Sequence, residues 1–187
     1  LTTLDKVLAC DVVSLHTPME KGGDHPTWHL IGEAQLQQMM TDACLINACR
    51  GAVVDNDALL KHLHENPDFV AVLDVWEGEP ELNRELLDFC ALATPHIAGY
   101  SLDGKMRGTE LVYQAACEFF GLPVRLKLGQ FLPEPGIRKV DFSPEVPVHQ
   151  ALRTAIRASY EIRVDDGVMR SVIRHSKNLR ESFDRMR

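Results

Sequence analysis

The stretch Leu45-Ile46-Asn47-Ala48-Cys49-Arg50-Gly51-Ala52-Val53-Val54-Asp55 decides how this chain is read. Residues 43–48 make a short, mostly apolar run of the length of a buried strand. Asn47 and Arg50 stand at its end, Gly51 breaks it, and Asp55 is placed to cap a helix opening at Asn56. A strand, a polar turn carrying a cation, then a helix is how an open parallel sheet displays functional groups at the carboxyl ends of its strands. An arginine there offers a planar five-donor fork that matches a carboxylate. Taken alone, Arg50 reads equally well as a surface arginine after a strand, so the rest of the chain has to decide.

Upstream, residues 3–9 read as the end of a helix, with Leu4, Val7 and Leu8 on one face. Residues 11–16 follow as a strand closed by Thr17-Pro18. A polar loop with Gly22-Gly23 and Pro26 leads to a helix near 32–40. Downstream of the organising stretch, a helix over about 56–65 turns Leu59, Leu60 and Leu63 inward and is stopped by Asn66-Pro67. Residues 69–75 are another apolar strand, ended by Trp76-Glu77-Gly78-Glu79-Pro80. A short helical piece around 83–88 precedes a strand at 91–94 and then Pro95-His96.

Strand alternates with helix at βαβ spacing, and the strands are continuous apolar runs. That pattern predicts an α/β fold with a parallel sheet covered on both faces. No Gly-x-Gly-x-x-Gly lies between a strand and a helix, and no acidic residue follows one about twenty positions on. Over residues 1–100 the expectation is therefore the C-terminal half of a Rossmann-type, doubly wound sheet. The longest helix candidate runs from Ser101 as N-cap to Phe120, with Gly121 just past its end. Met106, Thr109, Val112, Tyr113, Ala116 and Phe120 form its apolar stripe. Leu122-Pro123 marks a boundary, and 123–187 reads as a small α+β module. Strands are expected at 124–128 and 139–142, an amphipathic helix at 148–161, and helical pieces at 166–174 and 176–186. The chain opens on Leu1 rather than Met and stops after Arg187 without a capping signal, so both ends read as cut.

A chain of 187 residues has room for one large or two small domains. Its net charge of -7 argues against a nucleic-acid partner, which calls for clustered Lys and Arg. No apolar run approaches the ~20 residues that span a bilayer. The five cysteines (Cys10, Cys44, Cys49, Cys90, Cys117) are an odd number, mostly in apolar settings. They read as reduced residues of a cytoplasmic protein. His25 and His29 have the spacing of half a metal site, but Pro26 and Trp28 between them suggest a loop and no third ligand stands at fixed spacing, so no metal is expected.

Three ionisable residues each lie just past a strand end: Arg50, Glu79 and His96. In a parallel sheet those ends share one edge, so residues distant in sequence can converge there. A carboxylate beside an imidazole favours its protonated form, and the pair becomes a proton donor and acceptor with the arginine as anchor for an anion. Singly, His96 after a proline is a hydrogen-bonded loop histidine and Glu79 a solvated turn carboxylate. Together on one edge they make a candidate site.

Four motifs carry a resemblance. Residues 11–18, Asn47-Ala48-Cys49-Arg50-Gly51, Asp74-Val75-Trp76-Glu77-Gly78-Glu79-Pro80 and Thr94-Pro95-His96-Ile97-Ala98-Gly99 resemble, in order and spacing, the later signatures of the D-2-hydroxyacid dehydrogenases. The resemblance implies that Arg50 binds the substrate carboxylate and polarises the 2-oxygen. It implies that His96 takes the hydroxyl proton while hydride leaves C2 for NAD, and that Glu79 orients His96. Thr17, Asp74 and the Ala48-Cys49-Arg50 backbone are then expected to face the nicotinamide half of NAD, with Gly99 near the cofactor and Tyr100 near the substrate. The run from His96 to Lys105 and the C-terminal module resemble the members that oxidise a phosphorylated 2-hydroxy acid on the way to pyridoxal phosphate. The resemblance further implies that 101–122 returns to a substrate-binding domain and that 123–187 dimerises. Phosphoglycerate or hydroxypyruvate enzymes of the family use the same three residues and stay open as alternatives. So does an NAD-sensing corepressor, although its disordered tail is unlike the amphipathic helices here, and so does a bare dimerisation scaffold. Without the glycine fingerprint, the chain by itself is expected to bind NAD poorly.

Overall fold

Val12–Leu15 (β1), Cys44–Asn47 (β2), Val70–Leu73 (β3) and Leu92–Ala93 (β4) form a parallel sheet in the order β1-β2-β3-β4. Leu15 pairs with Asn47 and Asn47 with Leu73, so the carboxyl ends of the first three strands are level. The computed structural model from which this is read describes residues 2–186. Its contacts gather into two units, Leu1–Ile97 with Arg163–Arg187, and Ala98–Ile162.

In the first unit, Leu4–Leu8 (α1) precedes the sheet, and Glu33–Leu36 (α2), Asn56–Glu65 (α3) and Arg84–Phe89 (α4) connect its strands. Right-handed crossovers between strands laid down in sequence order put their helices on one face. The burial alternates accordingly: Val13, Leu15, Leu45, Asn47, Ala71, Leu73 and Ala93 are buried. Cys44, Ile46, Val70, Val72 and Leu92 remain half-buried and Val12 is exposed. The sheet is therefore closely covered on one face among the described residues, where cover on both was expected. A run such as Val70-Ala71-Val72-Leu73 is apolar on either side, so its composition does not say which side gains a helix.

Local chemistry explains several element ends. The Asp55 carboxylate accepts from the backbone of Asp57 (3.1 Å) and Ala58 (3.0 Å), capping α3 as expected. Asn83 caps α4 in the same way. The helix expected over 32–40 is shorter. After Leu36 the amides of Gln38 and Met39 bond three residues back, to Gln35 and Leu36, tightening the chain into the turn that enters β2.

Ile162–His175 (α7) and Leu179–Met186 (α8) belong with the sheet, so the sequence boundary at 123 does not coincide with the contact boundary near 163. Met169, Ile173 and Phe183 enter the same core as Trp76 and Leu86. The Ala93 amide, on the side of β4 away from β3, donates to Asp166 at 2.8 Å. Asp166 pairs with Arg170, whose guanidinium donates to the carbonyls of Leu87 (2.6 Å) and Cys90 (2.7 Å) at the end of α4. A side-chain pair thus occupies the sheet edge that would otherwise stand open. Burial here pushes the Cys90 thiol up to about 12, the inert thiol expected of a core cysteine.

In the second unit Leu102–Phe119 (α5) starts at Ser101, whose hydroxyl accepts from Gly104, and ends before Gly121 at φ +66. Its expected apolar stripe is not buried: Val112 is 72% and Phe120 69% exposed. Val148–Ser159 (α6) is present as expected. The strands expected at 124–128 and 139–142 do not form, and among the described residues after 123 no strand is present. The amides of Arg125 and Leu126 donate to the Tyr113 hydroxyl and that of Leu128 to Glu110, so α5 side chains replace a partner strand.

Candidate active site

The turn after β2 is built by Asn47, which is fully buried. Its side-chain amide donates to the Arg50 carbonyl at 3.0 Å and its oxygen accepts from the Cys49 amide at 3.2 Å. The Cys49 thiol meets the same oxygen at 3.1 Å. One side chain therefore closes the Ala48-Cys49-Arg50 turn from inside. Arg50 is exposed, its guanidinium on the Cys49 carbonyl at 2.6 Å. Gly51 explains why the turn can lie so close to the next strand end. A Cβ there would stand 2.0 Å from the Trp76 carbonyl oxygen.

After β3 the chain carries two glutamates on either side of Gly78, whose φ of +74 turns the backbone between them. Glu79 faces His96: its Oε1 meets Nδ1 at 2.5 Å, with the two side chains 25% and 23% exposed. Its other oxygen accepts from the Trp76 amide at 3.3 Å. His96 has a left-handed backbone, φ 59, which costs free energy at a non-glycine residue and is held here by its surroundings. The hold comes from buried Asp74: its carbonyl accepts from the His96 amide (2.6 Å), and its carboxylate from the Ile97 amide (2.8 Å) and the Thr94 hydroxyl (2.6 Å). The Trp76 indole closes the frame on the Thr94 carbonyl at 3.0 Å.

The structure thus brings Glu79 and His96 into direct contact and sets Arg50 on the turn that Gly51 packs against Trp76. Thr17, past the end of β1, has a buried hydroxyl oxygen with no hydrogen-bond partner. Ala48 and Cys49 belong to the Asn47 turn, with Cys49 half-buried. Gly99 and Tyr100 lie in the other unit, where Lys105 Nζ sits 3.7 Å from the Tyr100 ring centre. Sequence reasoning gave no role to Asn47, Thr94 or Glu77. Asn47 was legible in principle, as an amide ending an apolar strand just before a turn. Glu77 was not, because its partner His29 lies 48 residues away.

Residues 1–98 match the family described as D-isomer specific 2-hydroxyacid dehydrogenase, NAD binding domain. The chain belongs to this family. Among curated relatives of these dehydrogenases, erythronate-4-phosphate dehydrogenase of Pseudomonas putida (strain W619) is 52% identical over 95% of the chain and 47% of its own length. The enzyme of that name from Hahella chejuensis (strain KCTC 2396) is 46% identical over 100% of the chain and 49% of its own length. The chain therefore spans about half the length of the curated relatives it matches. Among solved structures, the apo Rhodotorula graminis D-mandelate dehydrogenase aligns with 66% of the chain and 36% of its own, at 30% identity and TM-score 0.57. Aquifex aeolicus D-lactate dehydrogenase, complexed with NAD and lactic acid, aligns with 64% of the chain and 40% of its own, at 32% identity and TM-score 0.53.

The family's cofactor is NAD. The 2-hydroxyacid dehydrogenase sheet edge seen here fits such a ligand: a buried oxygen without a partner, as on Thr17, is destabilising unless a bound group completes it.

Proposed function

We propose that the whole protein oxidises 4-phospho-D-erythronate to the corresponding 2-oxo acid phosphate with NAD, a step in pyridoxal phosphate biosynthesis. The single observation that carries the chemistry is the 2.5 Å contact between Glu79 and His96 at the strand ends. The substrate is supported by the name shared by relatives 46–52% identical to the chain.

Arg50 binds the substrate carboxylate and polarises the 2-oxygen, as a bidentate guanidinium does well. His96 takes the hydroxyl proton on Nε2, since Nδ1 is turned to Glu79. Glu79, oriented by the Trp76 amide, holds the ring and balances its charge as the proton arrives. NAD when bound supplies the hydride acceptor. Thr17, the Ala48-Cys49-Arg50 backbone and Asp74 would hold its nicotinamide half, and the family resemblance would assign Gly99 to the cofactor and Tyr100 to the substrate. Phosphoglycerate and hydroxypyruvate remain the competing substrates, because the three acid–base residues serve them equally.

In this reading residues 1–100 are the second half of the NAD-binding domain, 101–122 return to the substrate-binding domain, and 123–187 serve as the dimerisation module, its segment 163–186 also packing into the sheet's core. The dimer is supported by α6, where Val148 (84%), Leu152 (60%) and Ile156 (58%) are exposed along one face. No helix among the described residues is long and apolar enough to cross a membrane, and the free cysteines suit the reducing cytoplasm, where we place the enzyme.

The test is NADH formation by the full-length protein with 4-phosphoerythronate, set against 3-phosphoglycerate and glycerate. His96→Ala is expected to lower kcat by about 10²–10⁴-fold. Unchanged turnover in that variant removes His96 from the mechanism, and equal rates on all three acids remove the substrate assignment. Leu152→Glu is expected to yield monomers in sedimentation; an unshifted dimer places the interface elsewhere.

A further inference from the structure

We propose that His29 is a positioning residue for the acid–base site, a cross-link that sets the Glu79 loop against the Arg50 turn. His29 lies in the loop between β1 and α2 and touches neither Arg50 nor His96 by any contact seen here. Its imidazole stands between two carboxylates that come from the neighbouring crossovers. Nε2 meets Glu77 Oε1 at 2.8 Å and Nδ1 meets Asp55 Oδ2 at 3.4 Å. The two acids lie on the two segments that carry the site. Asp55 closes the stretch beginning at Arg50, and Glu77 is separated from Glu79 only by Gly78.

Backbone bonds extend the cross-link. The amides of His29 and Ile31 donate to the carbonyls of Ala52 and Val53, and the Asp55 amide returns a bond to the Ile31 carbonyl. Glu77 and Asn56 exchange a further pair: the Glu77 amide donates to Asn56 Oδ1 (3.1 Å) and the Asn56 amide to Glu77 Oε2 (3.3 Å). The Trp28 indole stacks on the imidazole, centroids 3.7 Å apart and planes 14° apart, fixing its plane. A planar ring with nitrogens on opposite edges reaches both acids at once, which a flexible amine does not do with one geometry. His29 also has a left-handed backbone, φ 51. Among the described residues only His29 and His96 are non-glycine residues with positive φ. Strain of this kind persists where the surroundings over-determine it.

The consequence is mechanical. Glu79 acts on His96 at 2.5 Å, so a small shift of residues 76–79 breaks the pair. Losing His29 breaks the Glu77–Asp55 bridge and loosens the loop, which is then held to the Arg50 stretch by the Glu77–Asn56 pair. The kinetic half of this inference rests on the dehydrogenase reading; the structural half does not.

The experiment compares His29→Ala and His29→Gln in the full-length protein. It reads steady-state kinetics with 4-phosphoerythronate and NAD, and hydrogen–deuterium exchange by mass spectrometry. His29→Ala is expected to lower kcat by about 10–100-fold, the scale on which small misplacement acts. KM for NAD should move far less than kcat, since the cofactor's own contacts remain. Exchange should rise in peptides covering 50–56 and 76–79 and stay unchanged in the sheet. His29→Gln, which keeps a donor toward one acid, should recover part of kcat. Adding Glu77→Gln to His29→Ala should cost little more, because the two side chains act as a unit. The proposal is overturned by unchanged kcat, by faster exchange confined to 28–32, or by exchange rising uniformly along the chain. If the protein proves inactive on this acid, the exchange pattern alone still decides whether His29 ties the two segments together.

Discussion

The unit built on the sheet and the unit spanning Ala98–Ile162 draw on the same apolar residue types and use them in opposite ways. In the first, Trp76 is 1% and Phe183 0% exposed; in the second, Phe119 is 83% and Val148 84% exposed. Each has amphipathic helices. What separates them is an opposing layer. The sheet gives α3, α4, α7 and α8 a surface to cover, whereas α5 and α6 bury little of their apolar faces among the described residues. A helical period marks a face that can be buried, and only a second surface buries it.

Three sets of substitutions sharpen or break that contrast, in order of expected size. Phe183→Ala should destabilise the chain by about 3–5 kcal/mol, while Phe119→Ala changes stability by less than about 0.5 kcal/mol in urea unfolding. Equal effects would mean that the C-terminal helices do not share the sheet's core. Arg170→Ala leaves Asp166 without its ion-pair partner and the Leu87 and Cys90 carbonyls without donors, and should cost on the order of 3 kcal/mol. Arg138→Ala, which removes the solvent-exposed pair with Glu134, should cost less than about 1 kcal/mol by the same measurement. A cost for Arg138 matching that for Arg170 would erase the distinction between the two units.

The smallest effect concerns pH. Burial holds the His62 imidazole below its ordinary value of 6.5, with Glu65 opposing weakly, and its Nε2 is buried without a partner. In the unfolded chain the ring takes a proton near 6.5, while in the fold it resists until lower pH. Stability is therefore intact above about 6.5 and declines as pH falls below it. His62→Leu should flatten this acid-side decline without lowering Tm at neutral pH, by scanning calorimetry between about pH 5 and 8. An acid limb as steep as the parent's would assign the decline to other groups.

Much of the first unit was legible because its signals are local. Asp55 before Asn56 and Asn66-Pro67 after α3 act within a turn of where they stand, and Asn83, read as the first residue of the piece at 83–88, caps it. The strand ends were equally plain, and with them the edge on which Arg50, Glu79 and His96 lie. Legibility stopped where a partner was needed. Residues 124–128 alternate as a strand does, but their amides found Tyr113 and Glu110 on α5 instead of a neighbouring strand. Residues 163–186 looked continuous with the module before them, yet Asp166 and Arg170 took them to the edge of β4.

The sequence by itself determined the alternation of strand and helix, the caps, the family motifs and the three ionisable residues at strand ends. All of these follow from residue periodicity and short-range hydrogen bonding. Only the tertiary structure decided that Glu77 pairs with His29, that Asp74 and Asn47 frame the candidate site, and that α7 packs on the edge of β4. Those outcomes depend on which distant side chains meet after the strands have paired, and no local rule encodes a distance across 48 residues.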